Sequence, residues 1–263
     1  MSTYLFDSAA PEASERFSSL EHCYDKVTTA RFEEFGVTAG WRCLEVGGGG
    51  GSIARWLTER VGPDGSVLAT DIHPDRMYGS SGNLEIRRHD IVTDDLPSGQ
   101  FDLVHARLVL IHIPERRRAV ERILRALKPG GILLLDEFDL TWTMPVLTAP
   151  EPRTAALVDK IVRGVHGLLE KAGMDAAWAR TAYQTLRETG YTDLGFSGFA
   201  EPWNGGSPGA HLHRANAQQV SGQLLAEGLA SEAELQEFLG VLDDPALTLG
   251  SYLMLSTWGR RPV

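Results

Sequence analysis

The sequence predicts an α/β protein built on a doubly wound, largely parallel sheet, and three observations carry that prediction. Short runs rich in Val, Ile and Leu alternate with helical stretches, five consecutive glycines follow the first such run, and acidic residues close the second and third. With 263 residues, 43% hydrophobic and 23% charged, the chain is long enough to bury the core of one sizeable domain.

The elements follow in order. Phe17, Leu20, Tyr24, Val27, Arg31 and Phe35 recur at helical spacing, and Gly36 stands where that helix can stop in a left-handed conformation. Five strands are expected at Trp41–Val46, Ser66–Asp71, Glu85–His89, Phe101–His105 and Ile132–Asp136. The helix after the first strand turns Ile53, Trp56, Leu57 and Val61 inward; the one before the fifth does so with Val120, Ile123, Leu124 and Leu127, until Lys128, Pro129, Gly130 and Gly131 break it. Beyond Asp139, Leu157, Ile161, Val165 and Leu168 mark one helix and 176–188 another. Leu194–Phe199 and Tyr252–Trp258 read as late strands, with helices between Ala210 and Leu242. Met144–Pro152 and Pro202–Gly209, rich in proline or glycine, read as loops.

Charge and cysteine usage narrow the function. The formal net charge of −10 repels a phosphate backbone, so nucleic acid is not an expected partner. Cys23 and Cys43 are too few for a disulfide framework and lack the spacing of a zinc or redox pair. No apolar run reaches the roughly 20 residues a membrane helix needs, and Ser2–Arg16 is polar and acidic where a secretory signal would be basic and then apolar. A cytoplasmic protein without a membrane partner is expected.

The chemistry concentrates after the first strand, where Leu44, Glu45 and Val46 lead into Gly47–Gly51 and a helix opening at Ser52. Such a turn gathers backbone N–H groups, and residues without Cβ let a ligand approach the main chain. Asp71, twenty residues past Gly51, ends the second strand, where a carboxylate can accept hydrogen bonds from ribose hydroxyls. His89 and Asp90 end the third strand at the same edge. Gly49, Gly51 and Ala54 also satisfy the dinucleotide fingerprint G-x-G-x-x-A, so an NAD(P)-dependent oxidoreductase remains an alternative.

Together these residues resemble a class I S-adenosyl-L-methionine (SAM)-dependent methyltransferase. Glu45, Gly47, Gly49 and Gly51 match that family's E/D-x-G-x-G-x-G motif, Asp71 its ribose acid and Asp90 its third-strand acid; FDLVHARLVLIHI at 101–113 and LKPGG at 127–131 resemble the fourth strand and the turn before the fifth. The resemblance implies a seven-stranded Rossmann-like sheet, order 3-2-1-4-5-7-6 with an antiparallel last strand, and extra helices covering the active site. It implies one domain over 1–263, with a helical lid at 1–36, a cofactor-binding core at 37–139 and substrate-side helices and last strands at 140–263. It also implies Gly47 and Gly49 along the methionine part of SAM, Asp71 with Ile72 at the ribose, Asp90 with Ile91 at the adenine, and Ala106 or Arg107 near the sulfonium. The small-molecule methyltransferases of antibiotic-producing bacteria are the nearest likeness, which implies a small organic acceptor in natural-product biosynthesis. One departure is the unbroken run of glycines, where the family varies the residues between.

No tyrosine is followed four residues later by lysine, the pair of short-chain dehydrogenases; no N/D-P-P-Y of base-amine methyltransferases follows strand four, and neither cysteine follows a proline as in cytosine C5 enzymes. Methyl transfer chiefly needs alignment, with a base only where the nucleophile must lose a proton. His112, a few residues past the fourth strand, is the candidate base, although it also suits packing before Pro114; Arg107 is placed to hold or polarise an anionic acceptor.

His105 reads as a group satisfied within its strand, while His22 and Tyr24 could close over the cofactor, Tyr24 fitting the apolar stripe of its helix equally. Glu137 and Asp139 suit either the acceptor region or a solvated loop. Arg116, Arg117, Arg118, Arg122 and Arg125 read as a solvated helix face partly paired with Glu115 and Glu121. His211 and His213 point apart on a helix, and Asp71, His73 and Asp75 suit the ribose site, so no metal is expected. Trp142, Trp178 and Trp203 suit an acceptor pocket or core filling. A non-catalytic SAM-binding protein is a third reading. Acceptor atom (O, N or C) and oligomeric state stay open.

Overall fold

The computed structural model describes residues 5–6, 12–77, 82–142 and 146–263. Parts of the expected 1–36 segment and of the Met144–Pro152 loop lie outside the described residues. The chain forms two compact units, one from Met1–Tyr24, Leu140–Ala176 and Ala200–Leu253, the other from Asp25–Asp139, Ala177–Phe199 and Met254–Val263.

The elements in chain order are α1 (Glu12–Glu34), β1 (Arg42–Val46), α2 (Ser52–Val61), β2 (Ser66–Asp71), β3 (Leu84–Arg88), β4 (Phe101–Arg107), α3 (Arg116–Ala126), β5 (Leu127–Asp139) and β6 (Val146–Thr148). Then come α4 (Pro152–Lys171), α5 (Trp178–Glu188), β7 (Thr192–Phe199), β8 (Pro202–Asn204), α6 (Pro208–Gln219), α7 (Ser221–Ala226), α8 (Glu232–Val241), β9 (Thr248–Gly250) and β10 (Leu253–Arg260).

The unit that contains β1 is built on a seven-stranded sheet in the order β3-β2-β1-β4-β5-β10-β7. The pairs β2·β3, β1·β2, β1·β4 and β4·β5 are parallel, and β10 runs antiparallel to β7. Setting aside the three short strands of the other unit, this is the expected order 3-2-1-4-5-7-6. Ile53, Ala54, Leu57 and Val61 of α2 pack with Cys43, Val67, Leu103, Ile132 and Leu134 of the sheet, because the helix and strand periodicities turn those side chains to one side. Leu57 is fully buried, and its truncation to Ala would cost about 2–5 kcal/mol.

Two expectations need correction here. β5 begins at Leu127, five residues before the expected Ile132, since Leu127 pairs with Phe101 and an irregularity then precedes the Leu103–Ile132 pair. Gly130 at φ +77° and Gly131, where a Cβ would sit 2.8 Å from the Phe101 carbonyl oxygen, allow the strand to bulge instead of starting late. In α1 the buried residues are Ala13, Arg16, Ser19, Leu20, Cys23, Tyr24, Thr28 and Phe32; of the expected stripe, Phe17, Val27, Arg31 and Phe35 are only partly buried. Arg16 and Thr28 join that face because each has a partner: Arg16 Nε donates to Asn216 Oδ1 (3.1 Å) and Thr28 Oγ1 to Asp136 Oδ2 (2.6 Å). Gly36 ends the helix at φ +77°, as expected.

In the unit that contains α4, α6, α7 and α8, a three-stranded antiparallel sheet in the order β6-β9-β8 replaces the two loops read from the sequence. Pro202 opens edge strand β8, where its missing N–H costs no ladder bond. Ser207 then caps α6 by accepting from the Ala210 amide, and Ser231 with Glu234 forms a capping box on α8. No helix among the described residues is long and apolar enough to cross a membrane. Cys23 and Cys43 are buried thiols.

Candidate functional site

β1 delivers the chain into a turn whose alternate glycines adopt conformations closed to most side chains: Gly47, Gly49 and Gly51 have φ of +69°, +53° and +82°. The Gly47 and Gly48 amides both donate to the Thr70 carbonyl (2.7 and 2.9 Å), and Gly51 donates to the Gly48 carbonyl (2.8 Å). A Cβ on Gly47 would run into Val109, and one on Gly48 would lie 2.5 Å from the Met77 sulfur. The turn is therefore a backbone cradle tied to β2, and the first N–H groups of α2 lack intrahelical partners.

Asp71 joins this cradle directly. Its Oδ2 accepts the Gly49 N–H at 3.1 Å and its Oδ1 the His73 N–H at 2.9 Å, so the glycine run and the acid at the end of β2 form one constellation. Ile72 beside it is 45% exposed, a large apolar surface left open at the strand end. On the neighbouring strand, the His89 amide donates to the Asp71 carbonyl (2.9 Å), Asp90 accepts the Val92 N–H (2.8 Å), and Ile91 is buried. The His89 ring, read from the sequence only as a strand end, is buried and has no hydrogen-bond partner among the described residues.

At the end of β4, Ala106 is fully buried and Arg107 turns its guanidinium to α1, 2.8 Å from Asp25 and 3.4 Å from Thr28 Oγ1. Leu108, at φ +56°, redirects the chain into a short 3-10 turn at Leu110–His112. His112 is half-buried and its amide donates to the Val109 carbonyl. Glu137 Oε1 accepts the Leu110 N–H at 2.8 Å and so pins this turn. Burial pushes the Glu137 carboxyl up to about 8, against the opposing pull of the Leu110 and Ile111 amides. Glu137 and Asp139 are therefore not solvated loop carboxylates: both lie buried in β5, and Asp139 is paired with Arg180 at 2.6 Å.

Glu45 lies below the turn, 3% exposed, with Oε2 2.7 Å from His105 Nδ1. His105 Nε2 faces Asp136 Oδ2 at 3.2 Å, and Asp136 also accepts from Thr28 and Ser256, each at 2.6 Å. Two carboxylates opposite both ring nitrogens call for two N–H donors, the imidazolium form. Burial alone would lower the His105 pKa; Glu45 and Asp136 override it and hold it at about 9. Asp136 is held below the usual carboxylate range despite burial, because His105, Ser256 and Thr28 all donate to it. The sequence placed His105 inside the strand; its acid partners, 60 and 31 positions away, gave no local signal.

The remaining candidates fall into structural roles. His22 is exposed, whereas Tyr24 is wholly buried with its hydroxyl donating to the Tyr252 carbonyl (3.2 Å), which favours its place in the apolar stripe over closure on a cofactor. Arg117 pairs with Glu121 and Glu188, Arg122 bonds the Asp94 carbonyl, and Arg116 lies over the Trp178 ring. His211 faces Asp243, His213 bonds the Tyr252 hydroxyl (3.0 Å), and no group of three or more potential ligands among the described residues is arranged for a metal. Trp178 and Trp203 are buried, while Trp142 is 47% exposed and borders a cavity of about 320 Å³ with Val146, Val158 and His166.

Residues 44–135 match a family model described as a methyltransferase domain. The chain is 33% identical over 136 residues to the ubiquinone/menaquinone biosynthesis C-methyltransferase UbiE of Laribacter hongkongensis, over 48% of this chain and 56% of that one. It is 37% identical over 112 residues to the Pseudomonas putida protein of the same name, over 39% of this chain and 44% of that one. It thus spans about half the length of these relatives. Among solved structures, it resembles a Bacillus halodurans C-125 protein assigned as a methyltransferase (TM-score 0.56, 18% identity, 89% of this chain and 98% of that one). It also resembles Haemonchus contortus phosphoethanolamine N-methyltransferase 2, crystallised with S-adenosylhomocysteine (TM-score 0.51, 15% identity, 86% and 50%). The resemblance to the class I methyltransferases is borne out for the matched domain and for the fold.

Proposed function

We propose that this chain, whose residues 44–135 match a methyltransferase domain on a class I fold, transfers a methyl group from SAM to an oxygen, nitrogen or carbon nucleophile of a small organic molecule. The carrying observation is the bond from the Gly49 amide to Asp71, which unites a side-chain-free cradle and a carboxylate. What supports this reading is that Gly47, Gly49 and Gly51 hold left-handed backbone conformations that leave the main chain without side chains, while the open Ile72 offers an apolar face for the nucleoside. Gly47, Gly49 and Gly51 would lie along the methionine part with Glu45 beneath, Asp71 would accept from the ribose hydroxyls, and Asp90 and Ile91 would bracket the adenine. Ala106 and Arg107 would stand near the sulfonium.

Bound SAM supplies a methyl group already activated on sulfur. The protein's contribution is alignment and exclusion of water, worth up to about 7–11 kcal/mol in the best cases. His112, on the turn pinned by Glu137, would take the proton from an acceptor that carries one. Arg107, tied to Asp25, would have to exchange that partner to hold an anionic acceptor. The acidic net charge and the missing base-amine motif favour a metabolite over a nucleic acid, and natural-product biosynthesis is the proposed setting.

Calorimetry with S-adenosylhomocysteine and NADH tests the reading. Binding of the first and not the second is expected, and binding of NADH alone would replace it with an oxidoreductase. Asp71→Ala should weaken S-adenosylhomocysteine binding by about 1.5–3 kcal/mol, the range for hydrogen bonds to a charged group. In a turnover assay with labelled SAM, His112→Ala should act more slowly at unchanged cofactor affinity.

A further inference from the structure

We propose that His105 is a positioning residue: by holding Glu45 on one ring nitrogen and Asp136 on the other, it sets where β1 enters the glycine turn and where β4 hands over to Arg107. The inference rests on the reading of that turn as the SAM site.

The geometry is specific. Glu45 and His105 are direct neighbours in the β1·β4 register, and Asp136 is the β5 partner of Arg107. The chain of bonds thus crosses the three central strands just before each leaves the sheet: Glu45 is two residues from Gly47, His105 two from Arg107, and Asp136 one from Glu137. Thr28 and Ser256 complete it from α1 and β10, donating to Asp136, while the Phe32 ring stands edge-on to the imidazole at 5.2 Å. Glu45, His105 and Asp136 are all essentially inaccessible to solvent.

Stability does not explain such an arrangement. Buried ionic groups are often replaced by apolar residues of similar volume without loss of stability. Hydrogen bonds are directional where apolar contacts are not, so this chain fixes the strand ends in one relative geometry. Thr28 belongs to the same constellation as Arg107, whose guanidinium reaches both Thr28 and Asp25, so the network also orients the group at the end of β4.

The test uses the full chain and S-adenosylhomocysteine as the probe. A triple variant, Glu45→Leu, His105→Leu and Asp136→Leu, removes the ionic chain while keeping the interior apolar. It should keep a cooperative melt yet bind the probe about tenfold more weakly. Asp136→Asn, which still offers an oxygen to the His105 N–H, should bind nearly as wild type does. Leu186→Ala, a cavity variant in α5 outside the site, should lower the melting temperature without changing affinity.

In wild-type protein, both His105 ring N–H resonances should be visible by ¹⁵N NMR and should shift when the probe binds. Undiminished probe affinity in the folded triple variant would overturn the inference. Should that variant not fold, unmoved His105 resonances in wild-type protein with probe bound would overturn it instead. Wild-type protein that ignores the probe altogether would overturn the methyltransferase reading and this inference with it.

Discussion

Two wholly buried histidines in the two units resolve the same problem in opposite ways. His105, in the seven-stranded sheet, stands between two carboxylates and is held at about 9. His213, on α6, is surrounded by rings: Tyr252 at 4.8 Å between centroids and Trp203 at 5.6 Å, with Nδ1 on the Tyr252 hydroxyl and Nε2 without a partner among the described residues. Burial, with a smaller contribution from His166, takes it down to about 3. Burial is thus the common factor and does not decide the charge; the neighbours do. One interior is organised by directed ionic bonds and the other by aromatic packing.

Single substitutions should separate the two interiors, and the largest effect belongs to the sheet. Asp136→Leu leaves Thr28 and Ser256 without their acceptor and the imidazolium with Glu45 alone. A loss of about 3–5 kcal/mol is expected in chemical denaturation, the cost of breaking a buried pair from one side. A loss below about 1 kcal/mol would mean that the ionic chain is not closed as described.

Next in size are the pH limbs, which carry opposite signs. The stabilisation from His105 is fully present below its unfolded value near 6.5 and is lost as pH rises through about 9. Glu137 acts in the same sense: its folded pKa of about 8 lies above the ordinary 4.5, so folding favours its protonated form, and that contribution disappears as pH rises between those values. His213 and His166, lowered to about 3 and about 4, act in the other sense, since the unfolded chain takes up protons the folded one refuses as pH falls below 6.5. Thermal melts across pH should therefore show Glu137→Gln removing a fall in stability between pH 4.5 and about 8, and His213→Phe removing a rise between about 3 and 6.5. The smallest effect is His213→Phe above pH 7, where one neutral hydrogen bond to Tyr252 is removed and about 1 kcal/mol is expected.

What the sequence made legible follows the range of the interactions involved. The alternation of strands and helices and the pairing of the glycine run with Asp71 were readable because strand and helix periodicities are local and turn chemistry is confined to a few residues, whereas the sheet order came only from the resemblance to a known family. The β6-β9-β8 sheet was not, since each strand has only three residues and their partners lie far apart in sequence, Val146 opposite Leu249 and Trp203 opposite Leu249. The inward face of α1 was misread for a related reason: Arg16 and Thr28 look like surface residues until Asn216 and Asp136 are in place. Glu45 shows the same limit at the site itself, because its motif position gave no sign that its carboxylate is bonded to His105.

The contact between Gly47 and Val109 constrains how this scaffold can diverge. The floor of the glycine cradle and the first residue leading into the His112 turn occupy adjoining space with no room for even a methyl group between them. Laboratory evolution toward a new acceptor by reshaping 108–113 will therefore press on the cradle whenever residue 109 grows, so libraries in that segment should hold position 109 at valine or smaller and take their diversity from 112 and 113.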